Sequence, residues 1–171
     1  MKHLENHIYR IISDSGYYYS VRSHPQMEGT TIFVVNGMRS GITTHIIVCD
    51  KFNYVSFISF GSYSIDRIDD LTEALNSLNI MAPLNTKYFY RSHNSSLYSL
   101  FSLFVSGSFP DKALVMDALM FNLNSLVNGK KKLDEYKTGT WKPTSEMRKN
   151  LAGEYMLYSR QEMLFDSIKL R

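Results

Sequence analysis

What most limits the fold of this chain is a train of short β-branched and aromatic runs in its first third. They occupy residues 17–22, 30–35, 43–49 and 52–60. The breaks carry turn chemistry: His24-Pro25, Asn36-Gly37, Ser40-Gly41 and Asp50-Lys51. Breaks of this kind every 8–12 residues or so predict an antiparallel meander. A length of 171 residues suits one domain of ordinary size, with room for an appended tail. Hydrophobic residues at 44% and charged residues at 20% exclude wholesale disorder.

Helical spacing brackets the meander. Leu4, Ile8, Ile11 and Ile12 predict an amphipathic helix over residues 3–13, stopped by Gly16. After the strands, Ile68, Leu71, Leu75 and Leu78 recur at spacings of three and four. Ser64 is the expected cap of this second helix, Asp66, Asp69, Asp70 and Glu73 fill its first turns, and Pro83 ends it. Two more strands, 87–92 and 97–105, are joined by a hairpin at His93-Asn94-Ser95-Ser96. Pro110 marks the first position of a third helix, capped by Ser108 or Phe109 and closed near Asn128 by Gly129.

The third helix is apolar on two sides. Leu114, Val115, Ala118, Leu119 and Leu126 form one stripe, and Met116, Met120, Leu123 and Val127 form a second. A helix apolar on two sides is buried on two sides. The sheet takes one side; a partner subunit or the chain's own C-terminal segment is expected on the other.

Residues 1–128 carry nine basic and ten acidic side chains, whereas residues 129–171 carry ten and six. The positive excess therefore sits in the last quarter. This predicts a core domain over 1–129 and a basic linker over 130–171 with a C-terminal helical segment, packing on the core or on a partner. Thr144 would cap that helix, with Met147, Leu151, Tyr155 and Tyr158 on one face.

The expected fold class is α+β: a twisted antiparallel sheet of five or six strands covered by helices, in the order α-β-β-β(-β)-α-β-β-α. This order, the hairpin after the middle helix and the long apolar last helix resemble the YbjN-like proteins, which share the fold of type III secretion chaperones. The resemblance covers residues 3–128. It implies a non-catalytic protein-binding or regulatory module that often dimerises.

Residues with catalytic or metal-binding chemistry form no recognisable constellation. His3 and His7 stand four apart without the third ligand of a metal site. His24, His45 and His93 are scattered, and Cys49, the lone cysteine, ends an apolar strand. One cysteine excludes a disulfide framework and a Cys-rich zinc module, and it fits a reducing, cytoplasmic setting. Gly37 and Gly41 flank Met38-Arg39-Ser40 without a phosphate-loop lysine, and no nucleophile elbow is present. Neither a secretory leader nor a membrane span is expected, and no cofactor is implied.

Two features point to binding. Tyr17-Tyr18-Tyr19 and Tyr88-Phe89-Tyr90-Arg91 place rings on both faces of a sheet. The expected protein-contact residues are Tyr88, Tyr90 and Arg91 on the sheet with Met116, Met120 and Leu123 on the third helix. The expected role is a non-enzymatic, chaperone-like, regulatory or inhibitory module that binds another protein, with dimerisation through the third helix or strand edges. The alternative is a nucleic-acid-binding regulator using surface aromatics with Lys130, Lys131, Lys132, Trp141 and Lys142. A third reading is a small enzyme with a site built from His45, Cys49 or His93.

Overall fold

In the computed structural model, which describes residues 3–82 and 86–142, the alternating runs pair in sequence as neighbours. Helix α1 (His3–Ser13) is followed by β1 (Tyr18–Ser23), β2 (Thr30–Arg39), β3 (Ile42–Cys49) and β4 (Tyr54–Ser62). Helix α2 (Leu71–Met81), β5 (Lys87–Arg91), β6 (Ser96–Phe104) and α3 (Lys112–Lys137) complete the order. All strands join one antiparallel sheet in the order β1-β2-β3-β4-β6-β5. The fold is thus the α+β architecture expected, with four strands before α2.

Several boundaries differ, each for a local reason. Asn36-Gly37 does not turn the chain. Strand β2 runs through it to Arg39, and the pairing with β3 slips between Val35 and Arg39. Gly37 supplies the positive φ of 81° that this bulge needs, and the reversal falls at Ser40-Gly41. Asp70, not Ser64, caps α2, accepting from the Glu73 amide at 2.8 Å. Asp66 and Asp69 therefore precede the helix. Asp111, not Ser108 or Phe109, caps α3, accepting from the Leu114 amide at 2.7 Å.

Gly129 does not end α3. The helix continues to Lys137, and Gly129 is buried inside it. A Cβ there would stand 2.6 Å from Tyr88 Cε1. Glycine serves here to let a ring lie against the helix backbone, and its lower helix propensity, about 1 kcal/mol, is the cost. The expected junction at residue 130 thus falls within a continuous helix. The fourth helix expected from Thr144 lies outside the described residues.

The chain itself packs against α3 in two halves, although Met120 of the second stripe stays exposed. Its first half packs Val115, Ala118 and Leu119 with Leu4, Ile8 and Ile12 of α1 over Phe33, Ile46 and Phe57 of the sheet. Its second half packs Leu126 and Leu133 with Ala74 and Leu78 of α2 over Tyr88 and Leu97. Each such buried Leu, Ile or Phe contributes about 1.5–3 kcal/mol.

A polar seam crosses the sheet at Asn122, fully buried at the midpoint of α3. Its Nδ2 donates to Ser59 Oγ at 2.9 Å, and its Oδ1 accepts from Ser99 Oγ at 2.8 Å. Ser59 Oγ also bonds Thr44 Oγ1 at 2.8 Å. Thr44, Ser59 and Ser99 are register partners on β3, β4 and β6. An axial shift of α3 would leave these groups buried and unpaired, so the seam fixes where the helix sits.

Candidate functional site

Alternation decides which side chains the helices cover. Phe33, Ile46, Phe57 and Leu97 face α1, α2 and α3. Their strand neighbours Ile32, His45, Ile47, Ile58, Phe60 and Tyr98 point to the opposite face, which no helix among the described residues covers. The sheet curls there into a groove of about 490 Å³. Its lining draws on all six strands, from Arg22 on β1 to Phe89 and Arg91 on β5.

Across β4, β6 and β5 runs a ladder of rings. Phe60 and Tyr98 are register partners, as are Tyr98 and Phe89. Tyr98 is stacked on both sides, with ring centroids 4.9 Å from Phe60 and 4.8 Å from Phe89. Asn94 Nδ2 donates to the Tyr98 hydroxyl at 2.7 Å. At one end, His45 and Phe60 meet edge to face, with centroids 4.9 Å apart. At the other, the Arg91 guanidinium lies 5.0 Å from the Tyr98 centroid and 5.6 Å from that of Phe89.

His45 is also 3.5 Å from Arg22 Nη2 through its Nε2. A guanidinium can only donate, so Nε2 offers its lone pair and the imidazole proton sits on Nδ1. Burial, and secondly the charge of Arg22, push the His45 pKa down to about 4. The ring is therefore neutral near pH 7. His24 lies at the groove's rim, where its Nδ1 accepts from the Gln26 and Met27 amides at 3.2 and 3.1 Å.

The expected contact residues divide accordingly. Arg91 lies on the open face. Tyr88 does not: it is buried under α3 and its hydroxyl donates to the Ser125 carbonyl at 2.9 Å. Tyr90 shares that face and donates to the Tyr63 carbonyl at 3.2 Å. Leu123 is buried, Met116 is packed against the first core cluster, and Met120 alone of the three remains exposed. Sequence reasoning missed Arg22, Phe60 and Tyr98, and noted Phe89 within the aromatic run without naming it as a contact residue. Parity with Arg91 on β5 marks Phe89, but the rest of the set needed the register.

The basic residues do not form one stripe. Lys130 Nζ donates to the Ser62 carbonyl at 3.0 Å, and burial lowers its pKa. Lys132 pairs with Glu135 at 2.5 Å, whereas Lys131 is exposed. Trp141 sets its ring against Tyr136 at 6.0 Å. Lys142 is exposed beside Arg67 and Lys137 at the end of α3. Lys137 itself donates to the Ser64 carbonyl and lies over the Tyr63 ring. Two of these lysines thus tie α3 to the end of β4 and the segment that follows it.

The chemically active candidates stay apart. His45 and Cys49 share a face of β3 but are four residues apart, about 13 Å along a strand. Cys49 is buried, and His93 lies in the β5–β6 hairpin. His7 Nε2 donates to the Pro110 carbonyl, 2.7 Å away. Among the described residues no three His, Cys, Asp or Glu side chains could share a metal ion. No described helix is long and apolar enough to cross a membrane.

No protein-family profile matches this sequence, and no curated protein is significantly similar to it. Solved structures are similar in fold. The crystal structure of YbjN from E. coli, described as a candidate transcription regulator, superposes with a TM-score of 0.54 at 13% identity. The match covers 79% of this chain and 93% of YbjN. An uncharacterized protein from Methanothermobacter thermautotrophicus gives 0.55 at 14% identity, covering 78% of this chain and 99% of the other. The fold is YbjN-like.

Proposed function

We propose that this chain, built on the YbjN-like fold, is a non-enzymatic regulatory module that binds another protein through the concave face of its sheet that no described helix covers. The observation that carries this reading is the groove itself. Its floor is apolar and aromatic, its two flanks carry Arg22 and Arg91, and the lining has no carboxylate to orient either of its two histidines and no thiol nucleophile. Aromatic and arginine side chains around a desolvated centre are what protein interfaces concentrate. The description of YbjN as a regulator agrees with this role.

The nucleic-acid alternative receives less support. Base stacking needs free ring faces, and both faces of Tyr98 are already taken. The test is affinity capture of the full chain from native lysate, with and without nuclease, beside a Phe89→Glu variant. Phe89 is on an edge strand and only partly buried, so the variant should fold. A stoichiometric protein that survives nuclease and is lost from Phe89→Glu is the expected result. Captured material that disappears with nuclease would overturn the reading.

A further inference from the structure

The groove is selective in its charge. Of the twelve residues that line it, two are arginines, two are histidines and none is acidic. The whole chain is nearly balanced, with 19 basic and 16 acidic residues, so this is a local separation rather than a general excess. Arg22 and Arg91 are both exposed, and among the described residues neither has a carboxylate partner. They stand on the two edge strands, β1 and β5, at opposite ends of the same groove.

The ring ladder adds to this polarity. An aromatic ring is negative on its faces and positive at its edge. In the ladder, Tyr98 turns both faces to its stacked neighbours Phe60 and Phe89. What Tyr98 leaves for an occupant is ring edge, which attracts oxygen atoms bearing negative charge. The same stacking closes the ladder to intercalating bases. The groove crosses six strands, so its occupant is longer than a compact anion and must itself be extended.

We infer that the groove holds an extended acidic segment of a partner protein, with Arg22 and Arg91 each receiving a carboxylate and the ring ladder lying beneath the segment between them. This deepens the binding-face reading above and rests on it. Arginine suits the task because its planar fork meets a carboxylate with two parallel hydrogen bonds.

The experiment is selection of a random dodecamer peptide library on the immobilised full chain, followed by fluorescence anisotropy with the recovered peptides. Enrichment of Asp and Glu over the starting library is expected, with binding weakened about tenfold or more in the R22A/R91A double variant. The Arg22→Lys/Arg91→Lys variant, which keeps charge but loses the fork, should fall between the two. The Arg22→Glu/Arg91→Glu variant should select basic peptides instead. Retention of the wild-type melting temperature shows that each variant is folded, and the lysine variant keeps the test decisive if alanine or glutamate does not tolerate the edges.

Recovery of neutral or basic peptides, of no peptides, or of peptides indifferent to R22A/R91A would overturn the inference. So would displacement of the peptides by a dT oligonucleotide, which would make nucleic acid the occupant. A captured protein partner that survives R22A/R91A but is lost from Phe89→Glu would leave the binding face standing and remove only its acidic preference.

Discussion

The two faces of this sheet bury apolar side chains by different means. On the covered face, Phe33, Ile46 and Phe57 are shut from water by α1 and α3. On the open face, Ile32 and Tyr98 are almost as buried, at 5% and 7% exposure, yet no described helix lies above them. For Tyr98 the cover is lateral: the stacked rings of Phe60 and Phe89 exclude water from both its faces. A layer of helix fills a core completely. A ladder buries the same residue types but leaves their edges addressable, and that difference makes one face a core and the other a candidate interface.

The largest test of the contrast is truncation on the covered face. Phe57→Ala should cost about 3–5 kcal/mol, since a fully buried ring leaves a cavity beneath packed helices. Tyr98→Ala on the open face should cost less, about 2–3 kcal/mol, because solvent can occupy part of the space. Chemical denaturation of both variants checks the order, and equal costs would break the comparison. A double-mutant cycle between Phe60 and Tyr98 sharpens it: the stack should return a coupling of about 0.5–1.5 kcal/mol.

The smallest expected effect is the pH dependence of the open face. His45 titrates at about 4 in the folded protein, against 6.5 ordinarily. Between these values the unfolded chain binds a proton that the folded chain refuses, so this contribution is intact above pH 6.5 and is lost as pH falls toward 4. Screening by solvent over the open groove limits it to about 1 kcal/mol. Denaturation at pH 7.5 and pH 4.5 should show a shallower acid loss in His45→Gln than in the wild type. Identical losses would place the imidazole in an ordinary, solvated setting.

Particular residues show where the sequence was readable. The spacing of Leu4, Ile8, Ile11 and Ile12 located α1, and all four are buried. The turn residues located the meander, although Asn36-Gly37 and Ser40-Gly41 competed for one reversal and the bulge took the first. At Gly129, a glycine near the end of an apolar pattern has the signature of a helix stop. It is also what a helix needs where a tyrosine ring lies on its backbone, and only Tyr88, 41 residues earlier in the chain, distinguishes the two. The two apolar stripes of α3 were visible, but not that α1 and α2 would each pack beside one half of the helix and leave Met120 exposed.

Local sequence by itself determined the element types, the α+β class, the alternation of side chains along each strand and the absence of a recognisable catalytic motif. Each of these depends on backbone propensity or on a period of 2 or 3.6 residues, which a chain carries within a few neighbours. Only the tertiary structure decided which alternating set became core. A strand such as β5 offers Tyr88 and Tyr90 to one side and Phe89 and Arg91 to the other, with equal local claim to burial. The choice fell to the helices, which the Asn122 seam and the Tyr88–Gly129 contact hold against one face. The register of six strands then brought Arg22 and Arg91, 69 residues apart in sequence, to the two ends of one groove.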